Sequence, residues 1–155
     1  MKKNLSNKQI EKYSRQIVLK NVGTIGQKKI LNSNVLVVGA GGLGCPVIDY
    51  LSRAGVGRLG IIDYDKIDPS NIHRQSIYTF KDVGKYKVNV LKRKIMDINP
   101  DVKTKIFKSK ITNKNIAKIL RQFDIIIDGS DNFKTKFLLN KFARKLKKTL
   151  IVGAI

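Results

Sequence analysis

The sequence predicts an α/β protein whose doubly wound, mostly parallel sheet is preceded by two short helices. Three observations support this fold class: apolar runs typical of buried strands, amphipathic helical segments between those runs, and a glycine-rich loop directly after the first run. Strands that alternate with helices form right-handed βαβ units, which build a doubly wound sheet. We therefore expect a Rossmann-like fold, with ligands bound beyond the carboxyl ends of its strands.

The elements follow from apolar periodicity and from the glycines and prolines that interrupt it. In chain order we predict helices over 7–17 and 24–32, a strand over 35–38, a helix from 46 that stops at 55, a strand over 59–62, a helix over 85–98, a strand over 102–107, a helix over 113–121, a strand over 125–127, a helix over 134–147 and a strand over 150–155.

The first strand and helix have clear boundaries. Val35 to Val38 form a continuous apolar run, which is typical of a strand buried on both faces. Gly39 to Gly44 interrupt this run, and Pro46 suits the first turn of the helix that follows. Residues 59–62 repeat the pattern of a buried strand.

The later elements alternate in the same way. Helix 85–98 is predicted from apolar residues spaced three and four apart, and Asn99-Pro100 ends it. Strand 102–107 alternates with lysines, which is typical of an exposed strand. Residues 125–127 form a triple-isoleucine strand, and residues 150–155 are expected to form a buried parallel strand.

Composition indicates one globular domain in a reducing compartment. The chain has 155 residues, of which 42% are hydrophobic and 28% charged. Cys45 is the single cysteine, so a disulfide framework or a multi-cysteine zinc site within these residues is excluded. No apolar run approaches the roughly 18 residues of a membrane span, and no apolar core follows the charged N-terminus. We therefore expect a cytoplasmic protein that is not bound to a membrane.

The net charge of +21 raises the question of a nucleic-acid partner. However, 25 of the 32 basic residues are lysines, and isoleucine and asparagine are also frequent. These residues have A/T-rich codons, so a biased genome would raise all three without selecting a binding patch. No recognition motif accompanies the charge. The sequence therefore favours a compositional origin over nucleic-acid binding.

A nucleotide loop is predicted after the first strand. Gly39-Ala40-Gly41-Gly42-Leu43-Gly44 matches the pattern G-x-G-x-x-G between a strand and a helix. Such glycines let backbone N–H groups approach phosphates at a helix N-terminus. Asp63 ends the second strand, 19 residues after Gly44, where an acidic residue binds a ribose hydroxyl in dinucleotide folds. Asp63 could also be a turn residue, but the glycine loop favours the ribose role.

Cations and a carboxylate follow at the same predicted edge of the sheet. Arg74 lies beyond the second strand, Lys87 near the start of the next helix, and Asp131 beyond the fourth strand. A lysine is unfavourable at a helix N-terminus unless an anion is bound there. Arg74 and Lys87 suit the oxygens of a triphosphate, and Asp131 suits Mg²⁺. Taken singly, Arg74 could belong to a surface ion pair, Lys87 could reflect the high lysine content, and Asp131 could cap a helix. Their joint placement at one edge of the sheet favours a polyphosphate site.

Several motifs together resemble one family. They are Tyr13-Ser14-Arg15-Gln16-Ile17, Gly26-Gln27, the run from Val38 to Pro46, Ala54-Gly55-Val56-Gly57, Asp63-Tyr64-Asp65, Ser70-Asn71-Ile72-His73-Arg74-Gln75 and Asp128-Gly129-Ser130-Asp131-Asn132-Phe133. In this order they resemble the MoeB/ThiF/HesA family, the bacterial relatives of ubiquitin-activating E1 enzymes. The resemblance covers residues 10–155 almost without interruption.

The resemblance implies ATP-dependent adenylation of the C-terminal glycine of a ubiquitin-like sulfur carrier protein, a step in molybdopterin or thiamine synthesis. It implies a homodimer in which Arg15 reaches the ATP of the neighbouring subunit. The remaining implied roles are nucleotide contacts by Gly39, Gly41, Gly42, Gly44 and Asn132, ribose binding by Asp63, phosphate contacts by Asn71, Arg74 and Lys87, and Mg²⁺ binding by Asp131.

The resemblance also implies that part of the family fold is missing. Family members continue past residue 155 with a sheet extension, a crossover loop and two C-x-x-C zinc pairs. We therefore expect a helical arm over residues 1–34 and an incomplete nucleotide-binding domain over 35–155, with zinc only in the missing part. Such a chain is expected to be weakly soluble, less so at high salt, and unable to adenylate a carrier by itself.

Alternatives remain open at the level of sequence. The glycine loop and Asp63 also suit an NAD(P)-dependent oxidoreductase, although that function leaves Arg74, Lys87 and Asp131 unexplained. An inactive remnant that binds only nucleotide, or a remnant that binds a carrier or nucleic acid through its charge, is a second alternative. A tRNA-modifying dehydratase of the same superfamily is a third.

Overall fold

The protein is organised around one five-stranded parallel sheet. The structure, a computed structural model, describes residues 4–153. The strands are β1 (Asn34–Val38), β2 (Arg58–Ile62), β3 (Lys103–Phe107), β4 (Ile125–Asp128) and β5 (Thr149–Val152). Their spatial order is β3-β2-β1-β4-β5, and every neighbouring pair is parallel. The chain thus winds outward on both sides of β1, which confirms the doubly wound α/β fold.

Helices cover both faces of this sheet. They are α1 (Asn7–Lys12), α2 (Ser14–Ile17), α3 (Gly23–Leu31), α4 (Gly44–Ala54), α5 (Lys87–Ile98), α6 (Ile116–Leu120) and α7 (Phe133–Lys145). Two short 3₁₀ turns, Pro69–Asn71 and Phe80–Asp82, lie between β2 and α5. None of the helices within residues 4–153 is long and apolar enough to cross a membrane.

The core has two halves because the side chains of a strand alternate between the faces of a sheet. In β1, Val35 and Val37 pack toward α4 and α5, where Ile48 and Leu91 are fully buried. Leu36 and Val38 pack toward α6 and α7 on the other face. All four residues from Val35 to Val38 are buried, which confirms a strand covered on both faces.

The N-terminal arm differs from its prediction at Tyr13. One helix was expected over 7–17, whereas Tyr13 interrupts it between α1 and α2. The Tyr13 side chain turns inward and is almost fully buried, and its hydroxyl accepts a hydrogen bond from Asn99 Nδ2 at 2.9 Å. Lys12 Nζ lies 2.8 Å from Asp101 Oδ2. These contacts hold the arm against the C-terminal end of α5.

The expectation of a buried fifth strand is wrong for the described residues. β5 lies at the sheet edge and pairs only with β4. Leu150 is half-buried beneath α7, but Ile151 and Val152 are each 51% exposed because no element within residues 4–153 covers them. The expected strand also reaches residues 154 and 155, which lie outside the described part of the chain.

Candidate active site

A cleft of about 880 Å³ lies at the carboxyl edge of the sheet. It is lined by the segments that follow β1, β2, β3 and β4, as the doubly wound topology predicts. Its size is that of an ordinary small-molecule site. Of the residues predicted for the site, the cleft brings together Gly39, Gly41, Gly42, Asp63, Asn71, Arg74, Lys87, Asp131 and Asn132.

The four glycines of the loop have different physical roles. Gly39 has φ +89°, and a Cβ there would come within 2.9 Å of the Gly129 carbonyl oxygen. A Cβ on Gly44 would overlap the carbonyl of Gly39, so Gly44 serves backbone packing and does not line the cleft. Gly41 and Gly42 have no such close backbone neighbour. Their missing side chains leave room in the cleft itself.

Asp63 braces the glycine loop. This carboxylate is 8% exposed. Its Oδ2 accepts the Ala40 N–H at 2.8 Å, and its Oδ1 accepts the Asp65 N–H at 2.7 Å. Each carboxylate oxygen can accept a second hydrogen bond. Asp63 can therefore hold the loop and still accept a bond from a hydroxyl in the cleft.

Lys87 is the one lysine that is buried within residues 4–153. Its side chain is 7% exposed at the first position of α5, and its Nζ lies 3.4 Å from Asp65 Oδ2. A buried lysine needs a charged partner or ligand, so the high lysine content does not account for it. Asp65 holds the ammonium group in the cleft. The sequence does not predict this role of Asp65, because its contact with Lys87 spans 22 residues.

Arg74 lies over the glycine loop. Its side-chain carbons are 3.8 Å and 3.9 Å from the position that a Cβ on Gly42 would take. Its Nη1 donates to the Ser70 carbonyl at 2.9 Å, which anchors one edge of an exposed guanidinium. Asn71 closes the 3₁₀ turn by accepting the Asp68 N–H. His73 contacts Arg74 at 3.4 Å, so its ring takes part in local hydrogen bonding.

Asp131 and Asn132 stand at the start of α7. Asn132 Oδ1 accepts the Thr135 N–H at 2.8 Å and caps the helix. Asp131 is exposed, lines the cleft, and makes no hydrogen bond or ion pair with other residues between 4 and 153. A free carboxylate opposite cationic groups fits Mg²⁺, which binds proteins through one or two carboxylates and completes its shell with phosphates and water. No cluster of three or more metal-binding side chains occurs in residues 4–153.

Arg15 and Cys45 lie away from the cleft. Arg15 is exposed on α2 and is not among the cleft residues of its own chain. Cys45 is fully buried, and burial raises the pKa of its thiol to about 12. Cys45 is therefore a packing residue.

The cleft also contains residues for which the sequence predicted no role. Gln75 is 3% exposed and lines the cleft beside Arg74. Residues 109–113, after β3, also line the cleft. The strand-end rule could have indicated residues 109–113, whereas the burial of Gln75 depends on the tertiary fold.

Comparison with known proteins identifies the family. The model of the ThiF family matches residues 13–155. The chain belongs to the ThiF family. The resemblance found in the sequence is thereby confirmed.

Individual proteins resemble this ThiF-family chain over most of its length. The sulfur carrier protein adenylyltransferase of Thermus thermophilus is 43% identical over 150 residues, which are 97% of this chain and 55% of that protein. The structure of TcdA (CsdL) superposes with a TM-score of 0.90 at 25% identity, over 97% of this chain and 60% of that one. Escherichia coli MccB solved with ATP gives 0.77 at 28% identity, over 83% of this chain and 38% of MccB. The ThiF-family chain thus spans about half the length of such relatives.

Proposed function

We propose that this chain binds ATP with Mg²⁺, and that the protein adenylates the C-terminal carboxylate of a ubiquitin-like sulfur carrier protein in molybdopterin or thiamine synthesis. The observation that carries the proposal is the meeting of Asp63, Lys87 and Asp131 around one glycine loop. The relative from Thermus thermophilus, named a sulfur carrier protein adenylyltransferase, supports the reaction, and MccB solved with ATP supports the nucleotide. A cytoplasmic location stays a prediction.

The nucleotide is proposed to lie along the carboxyl edge of the sheet. Asp63 accepts a ribose hydroxyl, and the phosphates lie against Gly41 and Gly42, which leave space for them. Arg74 and Lys87 contact the phosphates from two sides. Asn71 and Asn132, which also line the cleft, complete the polar surroundings.

The chemistry needs charge neutralisation more than proton transfer. A carboxylate oxygen of the carrier attacks the α-phosphorus, and the bond from that phosphorus to the oxygen bridging to the β-phosphate breaks. Pyrophosphate leaves with the electron pair of that bond. The attacking carboxylate is already ionised at pH 7, so no general base is required. Arg74 and Lys87 stabilise the negative charge that gathers on the leaving group.

Asp131 is the proposed Mg²⁺ ligand. Magnesium held by Asp131 would supply positive charge that offsets the negative charge of the phosphates. Asp131 fits this role because its carboxylate is free within residues 4–153 and faces the cleft from the side of β4. Zinc is not assigned to any described residue.

The proposal includes a homodimer. Arg15 lies outside its own cleft, on an arm that exposes Val18, Leu19 and Ile25 at 74%, 56% and 71%. Exposed apolar residues beside a conformationally fixed helix pair favour burial against a second copy. We propose that such an interface carries Arg15 to the cleft of the neighbouring subunit.

The first test is selective binding of ATP. At concentrations about 100 times Kd, ATP with Mg²⁺ should raise the melting temperature by about 5–10 °C. NAD(P)⁺ should not raise it. Protection by NAD(P)⁺ in place of ATP would favour the oxidoreductase alternative and contradict the proposal.

The second part of this test concerns Asp131. Asp131→Ala should remove the dependence of ATP binding on Mg²⁺ without lowering the melting temperature of the free chain. Asp97→Ala is the matched control, since Asp97 is exposed on α5 and does not line the cleft. An Asp131→Ala chain that kept the parent response to Mg²⁺ would rule out this ligand.

A further inference from the structure

The helix pair α1 and α2 is attached to the rest of the chain at one buried side chain. Among residues 4–22, Tyr13 alone is buried, with 1% of it exposed. The two helices have six and four residues, and neither contains a buried residue. Helices this short are not stable by themselves in water. The structure of the pair therefore depends on how Tyr13 is held.

The socket of Tyr13 is built by the C-terminal ends of α4 and α5. Gly55 ends α4 with φ +80°, and a Cβ there would overlap the Tyr13 hydroxyl. Asn99, the C-cap of α5, is 2% exposed. Its Nδ2 donates to the Tyr13 hydroxyl and to the Ser52 carbonyl, at 2.9 Å each. One amide thus ties the helix pair to α4 and α5 together.

The hydrogen bond from Asn99 fixes the direction of Tyr13 as well as its burial. Burial of an apolar ring is non-directional, whereas a hydrogen bond requires a particular distance and angle. Lys12 Nζ donates to Asn99 Oδ1 at 3.1 Å, which turns the other end of the amide toward Tyr13. Tyr13 is the N-cap of α2, so its direction sets the start of that helix.

Arg15 lies two residues after Tyr13, on a different side of the chain. Residues i and i+2 of a helix do not face each other, so an inward Tyr13 leaves Arg15 outward, where it is exposed. Arg15 makes no hydrogen bond or ion pair with the other residues from 4 to 153. Its direction is therefore set by the backbone of α2 and, through that backbone, by Tyr13.

We infer that Tyr13, held by Asn99, is a positioning residue that orients Arg15 toward the cleft of the neighbouring subunit. This inference rests on the proposed dimer, in which Arg15 acts on that cleft. Loss of the Tyr13 hydroxyl loosens the helix pair, although Arg15 keeps its charge. The effect belongs to the subunit that supplies the arginine and not to the subunit whose cleft is used.

Paired variants of the full-length protein separate those two subunits. A heterodimer of Arg15→Ala and Asp131→Ala subunits has one complete site, made of the cleft of the first and the arginine of the second. Tyr13→Phe on the Asp131→Ala subunit should lower pyrophosphate exchange by the mixture about threefold to tenfold, the effect of one buried hydrogen bond. Tyr13→Phe on the Arg15→Ala subunit should leave the exchange unchanged.

The two mixtures contain the same substitutions and therefore the same loss of stability. In either subunit Tyr13→Phe removes the hydroxyl that accepts from Asn99, so both mixtures should melt at the same, lowered temperature. A difference in exchange then reports the direction of Arg15 and not the amount of folded protein.

Two further variants check the assignment. Asn99→Leu removes the donor from the other side of the bond, and its effect should depend on the subunit in the same way. Tyr50→Phe is the matched control on the Asp131→Ala subunit, because Tyr50 is 71% exposed on α4, outside the socket. It should leave the exchange unchanged.

The outcomes are distinct. Equal exchange by the two Tyr13→Phe mixtures would overturn the inference and leave the proposed dimer standing. A larger loss with Tyr13→Phe on the Arg15→Ala subunit would place the effect in that subunit's own cleft and also overturn it. Verified heterodimers without Tyr13→Phe that show no exchange would overturn the inference together with the proposed role of Arg15. A parent protein that does not exchange pyrophosphate would overturn the proposed function as well.

Discussion

Gly41 and Gly42 differ from Gly39 and Gly44 in what a methyl group would meet. At Gly42 the nearest atoms are side-chain carbons of Arg74 at ordinary van der Waals distances. Gly42→Ala should therefore leave the melting temperature of the free chain nearly unchanged. The same methyl group should intrude on bound phosphate, at a cost of about 1–3 kcal/mol in ATP binding. Thermal melts and ATP titration measure the two effects separately.

The control for Gly42→Ala is Gly44→Ala. There the methyl group would overlap the backbone of Gly39, which cannot move away as a flexible side chain can. This variant should be unstable before any ligand is added. If Gly42→Ala bound ATP as tightly as the parent, the phosphates would not lie against this glycine.

At the scale of elements, Asp82 fixes the 3₁₀ turn Phe80–Asp82 onto α5. Its carboxylate is almost fully buried. Oδ2 accepts the Thr79 N–H at 3.1 Å and hydroxyl at 2.8 Å, and Oδ1 accepts from Arg93 Nη2 at 2.8 Å. Burial by itself would raise the pKa of Asp82, but the hydrogen bonds from Thr79 and Arg93 outweigh it and lower the pKa.

The lowered pKa of Asp82 predicts a dependence of stability on pH. The folded chain binds the Asp82 proton more weakly than the unfolded chain does. Its contribution to the free energy of unfolding is therefore complete above the ordinary aspartate pKa of about 4 and is lost as pH falls toward the lower folded value. Asp82→Asn should cost about 1–3 kcal/mol at pH 7 and flatten this acid-dependent loss. Urea unfolding from pH 3 to pH 7 measures it, and an unchanged slope would contradict the assignment.

The elements that the sequence predicted well are those decided by local pattern. Val35 to Val38 are buried on both faces because a central strand of a parallel sheet requires apolar residues at every position. The break at Tyr13 was not predictable, since it depends on Asn99, 86 residues away. The exposure of Ile151 depends on which strands flank β5, and the residues of β5 do not indicate their neighbours.

The residues of the candidate site also divide into those that a local pattern predicts and those that depend on tertiary packing. Asp63, Arg74 and Asp131 could be predicted because each follows a strand or a motif, and strand ends share one edge of the sheet. Asp65 and Gln75 could not, because an ion pair with the buried Lys87 and the burial of an amide arise only from packing. The roles of Asp63, Arg74 and Asp131 in ATP binding stay predictions.

At the scale of the whole molecule, the two sheet edges are protected differently. The edge strand β3 exposes Lys103 and Lys105, and charged side chains oppose pairing with another strand. The opposite edge, β5, exposes Ile151 and Val152. The apolar edge favours association, whereas the net charge of +21 opposes it and is screened by salt.

The dimer proposal predicts complementation between two inactive subunits. If Arg15 acts on the neighbouring cleft, an Arg15→Ala subunit keeps a whole cleft and an Asp131→Ala subunit supplies a whole arginine. Each heterodimer then contains one complete site, so a one-to-one mixture should recover about a quarter of the parent activity. Pyrophosphate exchange by the full-length protein in the presence of the carrier protein measures the activity. If verified heterodimers showed no recovery, Arg15 would act in its own subunit or would only stabilise the N-terminal arm. In the first case one site of the heterodimer lacks Arg15 and the other lacks Asp131, so neither is active.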